Sequence, residues 1–137
     1  IDQQVCIGCG ECITMCRFGA ISHDWKIDAD ELQKRIAEHA LGAVSGKEGK
    51  VGYLNFLMSI TKDCDCIVKK QRPALPDIGI LAGFDPVAID AASLALVREK
   101  AGEDIGDVLY TEIDPEAQLV HGEKIGLGSR DYTLITL

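Results

Sequence analysis

Apolar positions along this chain change their period several times, and each change predicts an element. In DADELQKRIAEHALGAVSG, residues 28–46, Leu32, Ile36, Ala40 and Val44 recur at helical spacing. Asp28 followed by Glu31 makes a capping-box start, and Gly46 predicts the stop. KVGYLNFLMSI, residues 50–60, is apolar, aromatic and β-branched enough for a buried strand, and DIGILA, 77–82, reads as a second one. Between them TKDCDCIVKKQRPALP is irregular. Asp85 and Pro86 form an N-cap and first-turn pair that opens a helix running to Gly102. Val87, Ala91, Leu94 and Val97 line one face of it, with Asp90 at the edge of that face. A shorter helix is expected from Asp114 and Pro115 to the glycines at 126 and 128, and the tail DYTLITL alternates like a strand. Buried strands separated by helices imply an α/β fold with a mixed or partly parallel sheet.

The stretch that carries chemistry is CIGCGECITMC, residues 6–16, with four cysteines spaced two, two and three residues apart. Two residues between successive thiolates let one loop wrap three corners of a 4Fe-4S cluster, which fits Cys6, Cys9 and Cys12. Gly8 and Gly10 give that loop the freedom to aim backbone N–H groups inward. In two-cluster ferredoxin runs the fourth cysteine serves the other cluster, and Cys16 holds that place. Zinc is the competing metal, although zinc sites are usually built from separated cysteine pairs. Such a reading leaves both sites incomplete, because the chain has no second triplet. Either a partner run lies upstream of Ile1, in keeping with the missing Met, or Cys64 or Cys66 folds back to complete the first site. The upstream run is the expectation.

CDC, residues 64–66, is the second constellation. Cys64 and Cys66 can reach one metal from a loop, with Asp63 and Asp65 offering oxygen ligands. Lys62, Lys69 and Lys70 could neutralise the same charges without a metal, and the plain alternative is a pair of small packed thiols. Asp90 is either a ligand, a buried acceptor or an exposed flank residue, with the flank expected, and Asp85 reads as a cap. His23, His39 and His121 are scattered among charged positions and read as surface residues. No nucleophile-base pair, phosphate loop or catalytic carboxylate pair stands out, so whether the chain is an enzyme is left open.

Charge and composition narrow the setting. The chain has 137 residues, 47% of them apolar and 26% charged, with a formal net charge of -8. That charge repels phosphate backbones and anionic bilayers, which argues against nucleic acid or membrane as partners. No apolar run approaches the ~20 residues that span a bilayer. Six cysteines in a chain expected to be cytoplasmic point to metal ligation or redox chemistry, not disulfides.

Taken together, CIGCGECITMCRFGAI, KVGYLNFLMSITKDCDC, PDIGILAGFDPVAIDAASLALV and HGEKIGLGSRDY resemble the C-terminal part of the uncharacterised iron-sulfur centre proteins, the domain of unknown function 362 family. The resemblance implies a ferredoxin-like cysteine-rich head, residues 1–27, on the C-terminal part of an α/β domain, residues 28–137. It implies Cys6, Cys9, Cys12 and Cys16 as cluster ligands, and marks Cys64, Cys66, Asp85 and Asp90 as motif positions of unassigned role. It also implies an upstream cysteine run and an N-terminal half. Arg17 departs from the proline usual after the fourth cysteine. The expected function is a 4Fe-4S electron-transfer module of a larger redox protein, partnered by its own upstream part or by a redox protein. The alternative is a metal-stapled structural or binding protein.

Overall fold

The structure is a computed structural model that describes residues 2, 4–7, 9–22, 29–63, 70–102, 106, 108–110 and 113–137. The expectations placed on Gly8, His23, Asp28, Cys64, Asp65, Cys66 and Lys69, and the proposed boundary at 27, lie outside these residues. In chain order the elements are α1 (Glu11–Met15), α2 (Ala29–Val44), β1 (Tyr53–Leu57), β2 (Gly79–Gly83), α3 (Pro86–Ala101) and α4 (Ala117–Lys124). The fold is therefore mixed α and β.

The two strands are antiparallel, pairing Tyr53 with Gly83 through to Leu57 with Gly79. This corrects the expectation of a mixed or partly parallel sheet for the described residues. A parallel pair needs a long crossover, usually a helix. Here the chain instead turns back beside its own strand: Ile78 N donates to Leu57 O at 2.8 Å and Ala74 N to Ile60 O at 2.8 Å. The Asp77 carboxylate accepts from Ser59 N at 2.7 Å, holding Ser59 at a φ of 51°. The irregular segment that follows is not merely a link, because Leu75 enters a core cluster with Val97, Ala101 and Val108.

Helix α3 covers one sheet face. Leu81, Ile89 and Ala92 form a second core cluster, with Tyr53, Leu57 and Leu96 packed against it. The opposite face is apolar but open: Leu54 and Phe56 are each 62% exposed and Ile80 is 57% exposed. Both strands are apolar on both faces, as buried strands are, yet these residues supply a layer for one face only. The face expected on α3 is broader than a single stripe, since Ile89, Ala92, Ser93 and Ala101 are buried along with Val87 and Val97.

Helix α2 packs against α4. Its buried residue is Ala37, while Leu32 and Ile36, which recur at helical spacing, are exposed. A small residue at the contact lets the two helices approach closely. Gln33 Nε2 donates to Asp114 O at 3.0 Å, and His121 Nε2 lies 3.0 Å from Glu38 Oε1. His121 is thus a bridge between helices, not a free surface residue, whereas His39 is exposed. α4 begins at Ala117, later than Asp114, and its Gly122 is buried against α3, where an added Cβ would lie 3.1 Å from Val87 Cγ2. The tail 131–137 is in no strand and is exposed along its length.

Candidate metal centre and the aspartate motif

The cysteine head is built by two tight turns around a short helix. Cys6 N donates to Asp2 O at 3.1 Å, so the chain is already turned before the first cysteine. Gly10 then takes a left-handed φ of 75°, a conformation that costs a side-chain-bearing residue, and its carbonyl accepts from Ile13 N at 3.0 Å. After five residues α1 ends at Met15, and the capping residue Cys16 is extended. Gly19, with φ 60°, closes the second turn by donating to Cys16 O at 3.3 Å.

Cys6, Cys9 and Cys12 are exposed free thiols, and Cys16 is a half-buried one. Cys16 stands apart chemically, because its sulfur accepts from Ala20 N at 3.3 Å. Backbone N–H groups of Phe18 and Ala20 lower its pKa by favouring the thiolate. The sign follows directly: a depressed pKa keeps the thiolate populated as pH falls below the ordinary thiol range. Alkylation of Cys16 by iodoacetamide is therefore expected to reach half-maximal rate at a lower pH than an unstructured cysteine peptide, as read by mass spectrometry of the labelled residue. Coincident midpoints would show that the N–H cradle does not act on the sulfur.

Among the described residues no three His, Cys, Asp or Glu side chains are grouped so that they could hold a metal ion. α1 also packs against no other helix or strand among these residues. Arg17 is exposed.

The neck of the segment carrying Cys64 and Cys66 is fixed on both sides. Gln71 and Asp63 exchange two hydrogen bonds of 3.0 Å, Gln71 Nε2 to Asp63 O and Asp63 N to Gln71 Oε1. The Asp63 carboxylate, a candidate oxygen ligand, accepts from the Tyr110 hydroxyl. Lys62 donates to Gly106 O at 2.7 Å and lies 5.0 Å from the centre of the Tyr110 ring. These groups hold Lys62 and Asp63 to the segment after α3.

Asp85 is a cap, as its sequence position implies, and also a clasp. Its Oδ1 accepts from Val87 N at 2.8 Å and Ala88 N at 3.0 Å, while Oδ2 accepts from Ser129 N at 2.9 Å. One carboxylate thus starts α3 and pins the chain beyond α4. Asp90 is not on an exposed flank. Its Oδ1 accepts from Asn55 Nδ2 at 2.7 Å, and the same amide donates to Ser93 Oγ at 2.9 Å, which in turn donates to Ile89 O at 2.7 Å. Asn55 was missed as a functional position, although a lone amide within YLNFL was the available signal. Replacing Asn55 by Ala removes the donor and leaves a half-buried carboxylate short of a partner, so a loss of about 1–3 kcal/mol is expected in urea unfolding. A change within ~0.5 kcal/mol would mean that water replaces the amide.

The fold and site define a mixed α and β protein with a four-thiol head and an aspartate-capped helix packed on a two-stranded sheet. The family model described as Domain of unknown function (DUF362) matches residues 6–95, more than half of the chain, and the chain belongs to that family. Neither a curated protein nor a solved structure matches it. No helix among the described residues is long and apolar enough to cross a membrane.

Proposed function

We propose that this chain is the iron-sulfur, electron-transferring part of a larger cytoplasmic redox protein. The observation that carries the reading is Cys16: its thiol is held by backbone N–H donors that favour the thiolate, the form a metal binds. The four-cysteine spacing and the glycine at positive φ between Cys9 and Cys12 support it. Cys6, Cys9 and Cys12 would hold one 4Fe-4S cluster, and Cys16 would serve another whose remaining ligands are not among these four cysteines. Such a cluster, when bound, supplies a one-electron carrier. The chain's own residues contribute thiolate donors, the N–H groups near the sulfur that stabilise negative charge, and an exposed position for the head from which a partner protein can exchange electrons.

Anaerobic reconstitution with ferrous iron and sulfide tests this. Ligand counting gives at most one cluster for this chain, so roughly four irons or fewer, with broad visible absorption that bleaches reversibly with dithionite. Zinc uptake in preference to iron would overturn the iron-sulfur reading. Iron uptake without reversible bleaching would favour the metal-stapled alternative. Iron near eight per chain would remove the need for ligands outside it.

A further inference from the structure

Among the described residues strand β2 has an unpaired edge, and its sequence does not guard it. β1 occupies one side of β2, and among the described residues no strand pairs with the other. The sequence GILAG, residues 79–83, has no charge and no proline, the devices by which exposed edges usually avoid further pairing. Alongside it lies a groove of about 670 Å³, walled by β2, by the α3 residues Ala88, Ile89, Ala92 and Leu96, and by the consecutive tail residues 132–137. The tail follows the groove without joining the sheet. Among the described residues it makes no backbone hydrogen bond to β2.

Two backbone segments therefore face each other across an apolar space. A compact small molecule would cover the walls but leave both rows of backbone N–H and C=O groups unpaired. An extended chain satisfies them on both sides, because neighbouring strands sit ~4.8 Å apart and present donors and acceptors at each edge. Five residues of β2 offer roughly 17 Å of pairing length at ~3.3 Å per residue. Charge limits the occupant further. Asp85 is the charged residue of the wall, and its carboxylate is already engaged by three backbone N–H groups.

We propose that this groove is a strand-acceptor site. It takes an uncharged, extended polypeptide segment of about five residues with apolar or β-branched side chains, inserted between β2 and residues 132–137. The segment pairs with β2 on one side and draws the alternating tail DYTLITL into the sheet on the other. The tail then becomes the strand that its sequence pattern predicts.

The test uses the full chain and an acetylated, amidated seven-residue peptide alternating threonine and valine. A control peptide carries proline at its centre. At roughly 1 mM peptide, hydrogen exchange is expected to slow about tenfold or more at amides in both 79–83 and 133–136, and the proline peptide is expected to give no protection. Ala88→Phe, which places a ring in the groove without removing a backbone group, is expected to abolish the effect while exchange in β1 and α3 is unchanged. Protection absent from β2, equal with the proline peptide, or retained in Ala88→Phe would overturn the proposal. So would protection of 79–83 that grows with protein concentration alone, which would make a second copy the occupant.

Discussion

Gly128→Ala is expected to cost this protein about 2–4 kcal/mol and to lower its melting temperature by roughly 8–16 °C. A Cβ on residue 128 would overlap Asp85 Oδ1 and lie 2.7 Å from its carboxyl carbon, closer than real side chains come. Asp85 cannot retreat without losing its bonds to Val87 N and Ala88 N, or to Ser129 N on the far side. The backbone at Gly128 has no positive φ, so the requirement for glycine is one of space and not of conformation. A double-mutant cycle separates this account from a general loss of packing. In an Asp85→Ala background the cap and clasp are already gone and the space is open, so Gly128→Ala should then cost only a few tenths of a kcal/mol. Additive losses in the cycle would show that the two residues do not act on each other.

The same pair shows what the sequence can and cannot reveal. Asp85 and Pro86 announce the start of α3, and Gly102 its end, because capping is decided within one turn of the chain. That Asp85 also holds Ser129 depends on where α4 returns, which no local pattern records. Strand existence was legible from YLNFL and GILAG, but strand direction was not, since it is set by the path of residues 58–78 between them. The inner face of α2 was not legible for a related reason. Periodicity marks which residues share a face, and Leu32 with Ile36 do share one, but the neighbour that covers a face decides which is buried. α4 covers the face of Ala37. Leu75 was hidden because its irregular surroundings give it no period to stand out against. Of the candidate site, the aspartate cap was readable, while the Asn55–Asp90–Ser93 network needed a strand and a helix brought together from 35 or more positions apart.

Serine substitution of the cysteines is expected to split them into two groups. Cys9→Ser with Cys12→Ser should abolish reconstituted iron and the visible absorption, because hydroxyls at both positions leave one thiolate of the triplet, too few to retain a cluster. Cys16→Ser should spare iron held by Cys6, Cys9 and Cys12 in this chain, since its thiolate is the one proposed to serve another cluster. Cys64→Ser with Cys66→Ser should also leave head-bound iron unchanged. Lys62 and Asp63, which precede that pair, are fastened to Gln71, to Tyr110 and to Gly106, and none of these bonds involves the head. α1 in turn leans on no other helix or strand among the described residues. If the CDC pair instead abolishes iron while circular dichroism and unfolding midpoint stay at wild-type values, a thiol from that loop completes the site. The head would then have to close onto the Asp63–Gln71 neck when iron is bound, and iron loading should slow hydrogen exchange there as well as around Cys16.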